Sequence, residues 1–266
     1  MVTPSPNLEA ENSHPVENRE KASALSVWSS VTGEELKPEI AAVERYFGGS
    51  SYTADAKTRP RILNAIHQAC RIVSPLMTFA IKPIQSATPD GTLTLSCGQS
   101  LPLPDCAYNQ SASFLAAAIG TLGKELETEC RLLAAQHHIY QSTLLDAVGT
   151  AMLDVLDTKI RITIDAECRL QGLFSGVRFA PGLNGFPLDH QQTIFQLADG
   201  LSVDVRINAS CMMEPVKTIS FFSLLGCEKV ENQHSDKCLR CRMPHCQFRK
   251  TPSSAPDGEM ERGVFR

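Results

Sequence analysis

The sequence predicts an α+β fold in which helices pack on an antiparallel sheet, with a small metal-binding appendage near its C-terminal end. Three observations carry this expectation. Apolar residues recur at helical spacing early in the chain, as Ile40, Val43, Tyr46 and Phe47 and then Ile62, Ile66, Ala69 and Val73. Two alternating runs, Met77 to Ile81 and Thr92 to Ser96, flank the turn residues Pro89-Asp90-Gly91, as in a hairpin. The order of elements is helices, a hairpin, two long helices, a glycine-proline loop, a short helix and two strands, which is an α+β order.

Taken in order, residues 1–33 are rich in Pro, Ser, Asn and Glu, with few apolar anchors beyond Leu25, Val27 and Trp28. They read as a disordered leader, with order beginning near Glu35. The first helix stops at Gly48-Gly49, and the second runs from about Arg61 to Ile72, before Pro75. After the hairpin, a polar loop leads to an expected helix with the stripe Leu115, Ile119, Leu122 and Leu126. The next segment carries two patterns. Leu145, Val148, Met152 and Val155 are helical, whereas Ile160, Ile162 and Ile164 alternate as in a strand. The stripe Val148, Met152, Val155, Ile162, Ala166 stays in phase and no turn residue intervenes, so one helix is expected to about Arg169.

Between Gly176 and His190 stand three glycines and two prolines, which read as a loop with Arg178 at its entrance. A capping-box pattern, Asp189 to Gln192, opens a helix carrying Ile194, Phe195 and Leu197 as far as Gly200. Alternation of Leu201, Val203, Val205 and Ile207 predicts a strand, and the last strand ends at Gly226.

A chain of 266 residues, 42% hydrophobic, allows one sizeable domain plus a small appendage. The division expected is a leader over 1–33, the main domain over 34–226, a four-cysteine module over 227–250 and a disordered tail over 251–266. The net charge of −4 gives no electrostatic case for nucleic acid. No apolar run of about 18 residues offers a membrane span. The first residues lack the basic and apolar regions of a signal peptide, so a cytoplasmic location is expected.

In such a location the ten cysteines read as thiols or metal ligands. Cys70, Cys97, Cys106, Cys130, Cys168 and Cys211 are scattered and read as small buried hydrophobes. Cys227, Cys238, Cys241 and Cys246 follow the spacing Cys-x10-Cys-x2-Cys-x4-Cys. The segment around them has almost nothing apolar to bury, and a metal can hold a piece too small to make a core. Four thiolates suit zinc or an iron–sulfur cluster, and His234 and His245 lie near enough in sequence to substitute.

The ordered set Arg178-x-Ala180-Pro181-Gly182, Pro187-x-x-His190 and Ser210-x-Met212-Met213-x-Pro215-x-x-Thr218-Ile219-Ser220 resembles the activation (S-adenosylmethionine-binding) domain of cobalamin-dependent methionine synthase. The resemblance is good over 144–226 and looser from Glu35. It implies that Arg178 faces the methionyl carboxylate, while backbone at Ala180 and Gly182 reads adenine and ribose. A guanidinium suits a carboxylate as a two-pronged donor, and a glycine lets backbone approach a flat ring. Asp154 stands where a helix carboxylate could face the sulfonium or amine, against the plainer reading of a solvated charge.

The activity implied is reductive methylation of an oxidised corrinoid by S-adenosylmethionine, which leans toward an enzyme of methionine biosynthesis. No Asp-x-His-x-x-Gly motif for holding cobalamin occurs in the sequence. The corrinoid is therefore expected on a partner, a corrinoid-binding protein or other methionine synthase modules. In that setting a redox-active 4Fe–4S cluster is preferred to zinc at the four cysteines, because reactivation needs an electron. Two positions depart from the family pattern: Leu183 replaces an aromatic and Ser223 a tyrosine. They define the alternatives, a non-catalytic corrinoid-protein partner with a structural zinc site, or an iron–sulfur redox module.

Overall fold

A computed structural model of the chain describes residues 25–89, 91–103, 112–183, 185–227 and, beyond these, 238, 241, 243 and 245–250. In chain order the regular elements are β1 (Leu25–Ser30), α1 (Ile40–Gly48), α2 (Thr58–Ile72), β2 (Leu76–Ala87), β3 (Thr92–Leu95), β4 (Ser100–Pro102) and β5 (Ala112–Thr121). They continue as α3 (Glu125–Ala135), α4 (Ile139–Leu170), β6 (Phe174–Phe179), α5 (Gln191–Leu197), β7 (Arg206–Ile207), β8 (Met213–Glu214) and β9 (Thr218–Gly226). The main sheet has the order β4-β3-β2-β5-β9-β6, with β1 beside the first half of β2 and every pairing antiparallel. The two short strands β7 and β8 form a separate ribbon. This is the expected α+β architecture.

Each face of the sheet has its own core, because successive side chains of a strand point to opposite sides. Ala116, Ala118, Phe221 and Leu225 join Phe79 and Ile81 beneath the helices α1 to α4. Leu115, Ala117, Ile119, Phe222 and Leu224 face the other way, onto Leu93, Leu95, Ile194 and Phe195. Burying one such Leu, Ile or Phe side chain stabilises by about 1.5–3 kcal/mol. The helix α4 comes close to β5 because Gly120 has no side chain. A Cβ there would lie 2.6 Å from the Ile160 Cδ1. Among the described residues no helix is long and apolar enough to cross a membrane.

The 32-residue α4 settles the conflict in its sequence. Ile160 and Ile164 are buried while Ile162 is 63% exposed, so the alternation reports two sides of one helix.

Elsewhere local pattern misleads. The helix expected around Leu115 is the central strand β5, and its small residues Ala116 to Ala118 are buried on both faces. A strand covered on both sides reads as a continuous apolar run, which periodicity cannot distinguish from a buried helix. Order begins before Glu35, because β1 pairs with β2 from Leu25↔Ile81 to Ser30↔Leu76. That strand is held by its ladder more than by burial; Trp28 is 56% exposed. Residues 1–24 and 251–266 lie outside the described residues. The glycine-proline loop gives up its first residues to β6.

The strand expected over Leu201 to Ile207 is mostly a 3-10 turn, Gly200–Val203, between the left-handed residues Asp199 and Asp204. Val203 and Val205 are buried under that turn, which imitates strand alternation. The capping box is also absent. His190 is the residue that precedes α5, and no side chain caps it.

Candidate functional site

The site is built on β6, the edge strand beside β9. Its register runs Ser175↔Leu225 and then Arg178↔Ser223, so three steps on β6 match two on β9. The extra residue is a bulge, and without it Ser175 and Arg178 would point to opposite faces. With it, both face α4. Ser175 Oγ donates to the Asp165 carboxylate, and Arg178 reaches Asp157. Gly176 makes the bulge possible, since a Cβ there would meet the Leu224 carbonyl oxygen at 2.9 Å.

Arg178 Nη1 donates to Asp157 Oδ2 at 3.0 Å, and Nη2 lies 2.8 Å from Oδ1. The guanidinium stands 4.2 Å above the Phe221 ring, a cation–π contact. Arg161, one turn further along α4, approaches the same carboxylate only to 3.7 Å, too far for a hydrogen bond. The Nε atoms of Arg161 and Arg178 are both buried without a hydrogen-bond partner. Burial pulls the Arg178 guanidinium below the usual arginine range, and Arg161 adds to this against the support of Asp157. Two cations thus meet the Asp157 carboxylate at a partly desolvated edge, with Asp154 adding a weaker negative charge toward Arg178.

One turn earlier on α4, Asp154 accepts from Tyr46 Oη at 2.6 Å and from Arg45 Nη2 at 3.1 Å. It is a half-buried partner of α1 rather than a solvated charge. Burial, and then Asp154, push the Tyr46 hydroxyl well above its ordinary range.

Past β6 the chain turns tightly. Leu183 N donates to Ala180 O at 3.1 Å, Phe186 N to Leu183 O at 3.0 Å and Gly182 N to Phe186 O at 2.9 Å. Gly182 has φ +77, which a glycine adopts without strain. Phe186 anchors the turn on the far face of the sheet, 5.1 Å from the Phe222 ring. Ala180 packs against the helix-side core. Gly182 and Leu183 are exposed, Leu183 to 53%. Below, the buried Gln191 amide donates to Ser220 Oγ at 2.7 Å. Met213 packs against the second core, while Met212 is exposed.

Cys227 is exposed directly after β9, and Cys238, Cys241 and Cys246 are half-buried; none of the four forms a disulfide. Their side chains do not converge on one point: among the described residues no three His, Cys, Asp or Glu side chains form a metal-holding group. The backbones of three are nonetheless gathered by one residue. Arg249 donates from Nη1 to Cys238 O at 2.8 Å, from Nη2 to Cys241 O at 3.2 Å, and from its own amide to Cys246 O at 3.2 Å. Of the scattered cysteines, Cys70, Cys130 and Cys168 are buried as expected. Cys97 is exposed and Cys211 half-buried, both in turns where burial is not available. Cys106 lies outside the described residues.

Asp157, Arg161 and Arg249 were not singled out by sequence reasoning. The spacing of Asp157 and Arg161, four apart on a helix, is the one signal that could have found the first two.

Fold and site together define an α+β domain with an arginine-bearing edge strand beside a long helix. A solved structure with the same fold is the crystal structure of the MetH reactivation domain bound to AdoHcy. It aligns with a TM-score of 0.60 over 77% of this chain and 80% of that one, at 13% identity. That likeness establishes the fold. No family model matches the sequence, and no curated protein matches it.

Proposed function

We propose that this protein binds S-adenosylmethionine at the β6 edge and supports reductive methylation of a corrinoid carried by a partner. The observation that carries the reading is the pair of buried Nε atoms on Arg178 and Arg161, beside a single carboxylate. Two guanidiniums with one direct counter-charge and spare donors suit a further carboxylate, such as the methionyl end of the ligand. Arg178 and Arg161 hold that carboxylate, and Asp157 keeps Arg178 aimed. Exposed Gly182, with its positive φ, leaves backbone open to a flat base, and Ala180 sets the distance of that backbone from the helices. The solved structure of the same fold was determined with AdoHcy bound, which supports the ligand class.

Cys227, Cys238, Cys241 and Cys246 are the residues that would hold a metal centre, a 4Fe–4S cluster ahead of zinc. The donor set, four thiols outside any disulfide, suits such a centre, and the amide of Lys250 lies 3.4 Å from Cys238 Sγ; a metal would have to draw together side chains that stand apart among the described residues. An iron–sulfur cluster supplies single electrons at low potential, which zinc does not.

A second reading, a corrinoid-protein partner without catalysis and with zinc at the cysteines, is favoured by two side chains. Leu183 projects into solvent where the family resemblance expects an aromatic, and Ser223 is buried opposite Arg178 where it expects a tyrosine.

Titration calorimetry with S-adenosylmethionine separates the two. Binding is expected, and Arg178→Ala weakens it by at least about tenfold, the worth of one charged hydrogen bond at about 1.5–3 kcal/mol. No heat from the native protein at millimolar ligand overturns the first reading and leaves the second.

A further inference from the structure

The outer strand of a sheet offers a row of unpaired N–H and C=O groups to any strand that approaches it. Among the described residues the main sheet ends on β4, β6 and β1. Two of these edges are guarded. β4 has three residues and closes on Pro102, while β6 is broken by its bulge and turns the charged Arg178 toward α4. β1 has no such device. Its six residues, Leu-Ser-Val-Trp-Ser-Ser, hold no charge and no proline, and they pair with β2 in unbroken register. Among the described residues no strand pairs with its outer side.

The two faces of β1 differ. Val27 packs against the helix-side core. Trp28 stands opposite Thr78, whose Oγ1 donates to Ala198 O at 2.9 Å, so the indole points to the far face of the sheet. There it is 56% exposed, between the exposed Ser26 and Ser30. Leu201, in the turn that touches β2 just past Ala198, is exposed as well.

Two copies of β1 that pair antiparallel are related by a two-fold axis perpendicular to the sheet, so opposed residues must come from the same face. An axis at Trp28 sets indole against indole, Ser26 against Ser30 and Val27 against Ser29. Aromatic pairs across strands are stabilising, and no like charges meet. A foreign strand would find only backbone and serines to recognise beside the indole, whereas specificity in strand addition comes from pockets for side chains. The self-match of Trp28 therefore favours a second copy.

We propose that this protein self-associates through β1, as a two-fold dimer in which two main sheets join into one and Trp28 meets Trp28. The β6 edge lies at the other side of the sheet and stays open in both copies. Five paired residues and two indoles bury less than the roughly 800 Å² per partner of a standard interface, so dimer and monomer exchange reversibly.

Trp28 is the only tryptophan in the chain, so its fluorescence reports this edge directly. Sedimentation equilibrium of the full chain from micromolar to millimolar concentration is expected to show monomer passing to dimer. Over the same range Trp28 emission should shift to the blue and lose its quenching by acrylamide. Ser26→Lys/Ser30→Lys sets like charges opposite each other at two exposed positions, and should weaken the dimer by about tenfold. Ser26→Lys/Ser30→Glu sets opposite charges there and should dimerise at least as tightly as the native chain. Circular dichroism checks that both double variants fold alike. A chain that stays monomeric throughout overturns the inference, and so does a Trp28 already shielded in the monomer, which means that the chain covers its own edge. A dimer with Trp28 still quenchable, or one equally tight in the two double variants, overturns it too.

Discussion

Arg178 and Asp157, 21 residues apart in sequence, meet between β6 and α4 with 2.8 Å separating Nη2 from Oδ1. The Phe221 ring lies under the guanidinium, and Arg161 competes for the same carboxylate. Asp157 thus links two arginines, one on the helix and one on the edge strand.

Asp157→Asn removes the shared counter-charge. The variant is expected to lose about 1.5–3 kcal/mol of stability in a urea titration, the cost of a hydrogen bond to a charged group. A ligand carboxylate should then be worth more than in the native protein. S-Adenosylmethionine is expected to raise the melting temperature of Asp157→Asn by more than it raises that of the native chain. An equal or smaller shift would mean that the ligand does not use these arginines.

Gly176→Ala tests the bulge. Its new methyl group would press on the Leu224 carbonyl, a backbone atom that cannot swing aside. Overpacking of this kind costs about 1–3 kcal/mol. Because the bulge aims Arg178 at α4, ligand affinity in calorimetry should fall together with stability.

Glu35 gives the fold an acid-sensitive contact. A hydrogen bond from Lys159 on α4, followed by those from Thr32, lowers its carboxyl from an ordinary 4.5 to about 2. A carboxyl whose pKa is depressed by folding contributes stability that is present above its unfolded pKa. That contribution is lost as pH falls from 4.5 toward about 2. Urea midpoints measured across this range should drop less steeply in Glu35→Gln than in the native protein.

The cysteines should separate by burial. Desolvation raises the Cys168 thiol to about 12 and the Cys130 thiol to about 11. Neither is expected to react with a disulfide reagent in the native protein near neutral pH, whereas exposed Cys97 should react at once. Metal analysis should follow the same division. Cys241→Ser loses the bound metal and Cys168→Ser keeps it. Retained metal in Cys238→Ser/Cys241→Ser would sink the four-thiolate assignment.

Local sequence determined the elements that show one face to a core and another to water. Those are α1, α2 and α4, whose stripes stand at helical spacing, together with the β2–β3 hairpin and β9. It also singled out Arg178, because an arginine between glycines and prolines in an ordered motif set is a local signal. Tertiary structure alone decided β5, where Ala116 to Ala118 are buried on both sides and the period carries no information. It decided 200–203 too, where two left-handed aspartates flank a turn that sends Val203 and Val205 into the core. The partners of Arg178 are non-local. Asp157 and Arg161 acquire their role only when a bulge at Gly176 turns an edge strand toward α4. Arg249 likewise gains its three carbonyls only once residues 247 and 248 are seated on a helix some two hundred positions earlier. Periodicity records what lies next to a residue along the chain, whereas charge pairing and strand burial depend on what arrives from elsewhere.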